Sequence, residues 1–268
     1  MMFFARDTIY TGEKEPDNWP ELQLDRPGTW LWALNAFHKR GLPLNEEMIQ
    51  AARLTADYLT MLWPCPCHDL WEEFGAQVHT STLAAIYAGL CSSADLLGSA
   101  EYRQIALQIK SFIFDKCIQS NGLFRKFVGD ERVDASLATL AMPYGLVSPD
   151  DPVLRSTVRR IEEDLLVPDV GVHRYIGDTY YGGGAWLLLH ACLGWHYLVI
   201  GEREKVDAVL SSLRRRVVGA GDLPEQLAPP MLAEPSYYDH WVQVRGPIAT
   251  PLLWSHAMYL ILSVEAGI

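Results

Sequence analysis

No apolar run in this chain approaches the roughly 20 residues that a bilayer crossing needs. Its longest stretches of that kind, such as Ala185 to Leu189 and Ile248 to Leu253, fall far short. Positive charge is also in deficit. Lys and Arg number 22 against 33 Asp and Glu, a formal net charge of −11, and the isoelectric point is near 5.1. A field of that sign repels phosphate backbones and anionic lipid surfaces, so neither nucleic acid nor a membrane is expected as a partner. A neutral substrate suits such a surface. Cysteine is scarce and odd in number, five in 268 residues, which points to reduced thiols rather than a disulfide framework and therefore to the cytoplasm. Met1-Met2-Phe3-Phe4 runs at once into Arg6 and Asp7, without the apolar segment or small-residue cleavage site of an export signal.

Two further absences remove cofactor chemistry. Cys65-Pro66-Cys67-His68 lacks the usual two-residue gap of a zinc site, and no second ligand pair follows it, so no metal is expected. Gly182, Gly183 and Gly184 are not followed by the Lys and Ser/Thr of a phosphate-binding loop. They read as a turn that admits the next helix or as part of a site. No Pro/Ser/Gly linker or low-complexity tract divides the chain, whose 49% apolar composition can fill one large core, so residues 1–268 are expected to form a single domain.

Alternating strand patterns are missing too, and helical periodicity fills the space. Trp30, Leu31, Leu34 and Phe37 recur at helical spacing before Gly41. Met48, Ala52, Thr55, Leu59 and Leu62 do so after Asn45-Glu46-Glu47, which has the composition of a helix start. Similar patterns run over about 78–97, 102–118, 134–146, 152–166, 185–200, 202–217 and 251–264, predicting an all-α protein of about nine helices. Earlier members begin near residues 27, 79, 135 and 184 and later ones near 46, 100, 152 and 204, a hairpin repeated roughly every 50 residues. Such hairpins stack as an open solenoid or close into a toroid.

The chemistry-bearing residues lie between hairpins. Glu72 sits in Asp69-Leu70-Trp71-Glu72-Glu73 and Glu225 in Asp222-Leu223-Pro224-Glu225-Gln226. Hydrolysis of a glycosidic bond needs one carboxyl to protonate the leaving oxygen and a second to activate water or attack carbon. The segment from Arg174 to Trp186 combines a fixed cation, tyrosines, glycines and a tryptophan. Aromatic faces pack against the C–H side of a pyranose while a guanidinium donates to its hydroxyls. In a chain this acidic, the bland alternative for each glutamate is a solvated surface, and for Trp186 a place in the core.

These segments resemble the catalytic domain of glycoside hydrolase family 15, the glucoamylases and their bacterial and archaeal relatives. Asp69 to Glu73 is similar to its general-acid motif, Arg174 to Trp186, with its Asp-Thr-Tyr-Tyr core, to its sugar-binding loop, and Leu223 to Gln226 to its general-base motif. Trp19 with Gln23-Leu24-Asp25 resembles an early segment beside the pocket, and Pro251 to Ala257 the closing helix. The resemblance implies an (α/α)6 six-hairpin toroid and inverting hydrolysis at a non-reducing-end α-glucosyl residue, without a cofactor. It makes Glu72 the general acid and Glu225 the general base, with Glu73, Arg174, Trp71, Trp186, Trp19 and Tyr180 as substrate ligands. Burial against Trp71 and the nearby charge of Glu73 would keep Glu72 protonated. The implied substrate is an α-linked glucan or oligosaccharide, with glucodextranase or trehalase action as variants. The family's domain begins with further helices carrying an Arg-Asp pair; Arg6-Asp7 has those letters but lies too close to Trp19. About nine of twelve helices are therefore expected, the C-terminal two-thirds or so of the domain. An alternative function is a non-catalytic glucan-binding or regulatory module.

Overall fold

The structure is a computed structural model that describes residues 22–227, 229 and 231–268. Trp19 and the Arg6-Asp7 pair lie outside the described residues. The chain forms two compact units, one reaching to Glu131 and including Tyr144–Leu146, the other made of Arg132–Pro143 and Val147–Ile268. Nine α-helices run through the described residues, and the all-α expectation holds.

In the first unit, α1 (Asp25–Lys39) and α2 (Glu46–Leu62) form one hairpin, and α3 (Thr80–Leu97) and α4 (Ala100–Lys116) the next. Asn45 caps α2 by accepting from the Met48 N–H at 2.8 Å, as its composition predicts. Helix α3 is buried on nearly every side and stops at Gly98, whose φ of 67° is left-handed. Helix α1 lies tightly on it. A Cβ on Gly28 would stand 2.6 Å from the Ala85 carbonyl carbon, and one on Gly89 2.6 Å from the Gly28 oxygen. Only glycine at both positions lets the two backbones approach this closely.

The second unit opens with a 3-10 helix, Ala135–Leu140, capped by Asp134 through the Ser136 N–H at 2.8 Å. The α-helix expected over 134–146 does not form. Pro143 has no N–H to donate, and Gly145 is left-handed at φ 60°. Then follow α5 (Pro152–Asp164), α6 (Leu187–Val199), α7 (Arg203–Arg215), α8 (Tyr238–Arg245) and α9 (Leu253–Glu265). Asp151 accepts from the N–H groups of Val153 and Leu154 to start α5, with Pro152 at its first position. Helix α6 is apolar all round and packs against α7 and α9, each amphipathic or partly exposed, as an enclosed helix must.

Two other expectations change. The helix expected from 185 begins at Leu187, because Ala185 and Trp186 pair as a strand. Four two-residue strands, β1 (Leu166–Val167), β2 (Gly171–Val172), β3 (Ala185–Trp186) and β4 (Gln226–Leu227), form an antiparallel sheet in that order. Val172 faces Trp186, and Trp186 faces Gln226. Helix α8 has no buried residue and therefore no apolar stripe to announce it. No helix among the described residues is long and apolar enough to cross a membrane, and all five cysteines are free thiols.

Candidate active site

In the first unit the connection from α2 to α3 is organised by one buried carboxylate. Asp69 is 1% exposed. Its Oδ1 accepts from the N–H groups of Trp71 and Glu73, both at 3.0 Å. Its Oδ2 accepts from Lys126 Nζ at 2.8 Å, with His79 Nδ1 at 3.8 Å. Its backbone closes the same turn, the carbonyl accepting from Glu72 N–H at 2.9 Å and from Gln23 Nε2 at 2.7 Å, while Asp69 N–H donates to the Glu73 carbonyl at 3.1 Å. Within this ring of bonds Glu72 and Phe74 adopt left-handed backbones, φ 66° and 53°. Such conformations cost about 1 kcal/mol or more in a residue with a Cβ, so they persist only where the surroundings fix them. Trp71 is buried and the Glu72 side chain mostly so, whereas Glu73 is half-buried.

Arg26, in the first turn of α1, donates to the Glu72 carboxylate. This cation is a neighbour that the motif itself does not reveal. Beside it, Asp25 is buried, and its Oδ1 meets no hydrogen-bond donor among the described residues. Burial raises the Asp25 carboxyl from its ordinary 3.8 to about 7, with Arg26 opposing and the charges of Asp69 and Glu72 adding. The Cys65-Pro66-Cys67-His68 run forms the edge of the loop, where Cys67 N–H donates to the Gln77 carbonyl at 3.0 Å and burial pushes its thiol up to about 12. Among the described residues no His, Cys, Asp or Glu cluster is placed to hold a metal ion.

In the second unit Arg174 is buried, and its Nε donates to Asp178 Oδ2 at 2.7 Å while Nη2 donates to Oδ1. Its guanidinium carbon lies 5.0 Å from the Tyr180 ring centre, 5.4 Å from that of Trp186 and 5.5 Å from that of Tyr175. Asp178 Oδ1 also accepts from Tyr180 N–H at 2.9 Å, so one carboxylate fixes both the cation and the ring over it. Trp241 of α8 closes the cluster, 5.0 Å from Tyr180. The glycine run is a close approach as well as a turn. A Cβ on Gly183, at φ 67°, would stand 2.5 Å from the Asp178 oxygen, and one on Gly184 2.4 Å from Gln226 Oε1.

Gly184 N–H donates to Gln226 Oε1 at 2.9 Å, joining this loop to β4 and hence to the neighbouring Glu225. Glu225 N–H donates to the Ala249 carbonyl at 2.9 Å. Ser255 Oγ donates to the Pro224 carbonyl at 2.9 Å, and His256 Nε2 accepts from Leu223 N–H at 3.0 Å. The start of α9 thus holds the Leu223-Pro224-Glu225 segment by two side chains. Tyr181, left-handed at φ 47°, donates from its hydroxyl to the Gly246 carbonyl at 2.9 Å. Burial raises that phenol, and the charge of Glu225 raises it further.

Trp71, Glu72 and Glu73 therefore share one turn, and Arg174, Tyr180, Trp186 and Glu225 share a second assembly. The supporting residues Arg26, Lys126, Asp178, Tyr181 and Trp241 were not assigned roles from sequence. Asp178 had a readable signal, an acid four residues beyond the cation. Arg26 and Lys126 had none, because their partner Glu72 or Asp69 lies 46 or 57 residues away.

The family model of glycosyl hydrolases family 15 matches residues 3–221, an interval that stops short of Glu225. Isomaltose glucohydrolase of Kribbella flavida is 39% identical over 266 residues, 97% of this chain and 68% of that protein. Trehalase 2 of Sulfolobus acidocaldarius is 24% identical, covering 87% of this chain and 42% of that one. Among solved structures a wild-type glycosidase is 38% identical with a TM-score of 0.88, over 96% of this chain and 70% of that one. The family 15 glucoamylase from Hypocrea jecorina, 18% identical with a TM-score of 0.66, is alike in fold. By the family match and the 39% identical relative, the chain belongs to glycoside hydrolase family 15, a family of six-hairpin glycosidases.

Proposed function

We propose that residues 1–268 form one catalytic domain, or the larger part of one, that releases glucose from the non-reducing end of short α-linked glucosides by inversion. Glu72 is the general acid, Glu225 the general base, and Arg174, Tyr180, Trp71, Trp186, Glu73 and Trp19 bind the sugar. The observation that carries this reading is the left-handed Glu72 held by the Asp69 ring of hydrogen bonds, because a carboxyl kept in a strained backbone by a dedicated buried acid is fixed for use. Two solved glycosidase relatives are glutamate-to-alanine variants, one of them in complex with glucose. Among substrates, isomaltose comes first because the 39% identical relative is an isomaltose glucohydrolase. Trehalose comes next on the weaker likeness to trehalases.

Following the anomer of released glucose by NMR during early hydrolysis of isomaltose, maltose and trehalose tests mechanism and preference together. Single displacement of an α-linkage by a water held on Glu225 gives β-glucose first. The leaving sugar keeps its own anomeric state, α from trehalose and a mixture from isomaltose or maltose, so early release with no β-glucose beyond that share overturns the base assignment. Glucose binding with no hydrolysis of any of the three moves the reading to a glucan-binding module.

A further inference from the structure

We propose that Lys126 is a positioning residue for the turn that carries the general acid, an inference that rests on the assignment of Glu72 above. Lys126 is 2% exposed. An ammonium so deeply enclosed is tolerated only when paired, and its partner is the equally buried Asp69 at 2.8 Å. That carboxylate is the acceptor for the Trp71 and Glu73 amides, on either side of Glu72. Lys126 Nζ also lies 5.3 Å from the centre of the Phe74 ring, the other left-handed residue of the loop. The lysine therefore touches the residues at both ends of the Trp71-Glu72-Glu73 turn. His79 completes the cluster, its Nε2 3.1 Å from the Phe74 carbonyl.

The backbone delivers Lys126 rigidly. Thr80 N–H donates to the Lys126 carbonyl at 3.1 Å, Val128 N–H to the Val78 carbonyl at 3.0 Å, and Thr80 Oγ1 to the Arg125 carbonyl at 2.6 Å. The segment is thus fastened to the start of α3, one of the most buried helices of its unit. By fixing the Asp69 carboxylate in place through a charged hydrogen bond, Lys126 keeps it aimed at the two amides it accepts from, and bonds to a carboxylate are roughly twice as strong as neutral ones. Loss of the ammonium then loosens the turn around Glu72 while the helices stay as they are.

The test compares Lys126→Met and Lys126→Arg with the wild-type chain by amide hydrogen exchange and by hydrolysis of isomaltose. In Lys126→Met, exchange at the Trp71 and Glu73 amides rises at least ~10-fold while the α3 and α4 amides keep their protection. The kcat falls at least ~10-fold with KM within about threefold, since a misplaced acid impairs the chemical step more than binding. Lys126→Arg, which keeps the charge, recovers most of both. If Lys126→Met does not fold, Asp69→Asn/Lys126→Met removes both charges, and the proposal expects the same two amides to exchange faster there. Wild-type exchange at both amides in a folded variant overturns the proposal, as does a uniform loss of protection through α3 and α4 with kcat unchanged. If the wild-type chain hydrolyses nothing, the exchange result alone decides the role of Lys126, and it is the hydrolase reading that falls.

Discussion

Arg174 and Asp178 form a buried, two-bond ion pair four residues apart, with Tyr180 fastened to the same carboxylate. The guanidinium is thereby held in one orientation, and its faces are covered by aromatic rings. Removing one member of such a pair leaves the other charged in an apolar surrounding. Asp178→Ala is therefore expected to destabilise the second unit by about 3–5 kcal/mol in urea unfolding. Arg174→Lys, which keeps the charge but not the planar fork, should lose glucose affinity at least as clearly as stability. Unchanged affinity for glucose by calorimetry would remove Arg174 from the sugar site.

The two glutamates predict a specific pattern of losses. Glu225→Gln and Glu72→Gln keep shape and most hydrogen bonding but cannot move a proton, so each is expected to reduce kcat by about a hundredfold or more. Glucose binding should persist in both, because neither role needs the ground-state sugar. Near-normal turnover in either variant would show that the residue is not the acid or base assigned here.

Much of this architecture was legible in the sequence, for a local reason. Helices α2, α3, α4, α5 and α7 each carry an apolar stripe and most have a cap or stop signal, such as Asn45, Ser99, Asp151 or Gly98, that the chain displays within a few residues. The misread 134–146 segment has the same apolar residues, but Pro143 withholds the donor a helix needs there. Helix α8 was invisible because none of its residues is buried. In the candidate site, the motif acids and aromatics are visible in the sequence as local segments, whereas the residues packed around them are not. Arg26 reaches Glu72 and Lys126 reaches Asp69 only through the packing of α1 and the α3 start, which no spacing rule encodes.

Opposite pH responses are expected in the two units. Asp25 is raised from 3.8 to about 7, so the folded first unit keeps a proton that the unfolded chain releases. Its contribution is full below about pH 4 and is lost as pH rises through 7. His190 in α6 is lowered by burial from 6.5 to about 4, with Asp169 opposing. There the unfolded chain holds the extra proton, so stability is full above about 6.5 and is lost as pH falls toward 4. Each slope is at most about 1.4 kcal/mol per pH unit. Asp25→Asn should be more stable than the wild type at pH 8 and indistinguishable from it near pH 4, whereas His190→Gln should flatten the acid limb of the second unit. Exchange protection of α1 and α6 amides between pH 4 and 8 measures both, and parallel responses would contradict the assignment.

Gly184 offers the most local test of how Glu225 is held. Its backbone is not left-handed, so alanine is conformationally acceptable there, yet the added Cβ would meet Gln226 Oε1 at 2.4 Å and the Leu227 oxygen at 2.6 Å. Relief requires β4 to move away from β3, carrying Glu225 with it and breaking the bond from Gly184 N–H to Gln226. A catalytic group displaced by about 1 Å can cost on the order of a hundredfold in rate. Gly184→Ala is therefore expected to reduce kcat at least tenfold with most of the helical signal intact. Gly201→Ala, between α6 and α7, is the control, because Gly201 has φ 82° and open space around its Cβ position. Its cost is backbone strain alone, about 1 kcal/mol of stability, with kcat close to wild type. If the two variants lost activity equally, the contact between Gly184 and Gln226 would not be what sets the position of Glu225.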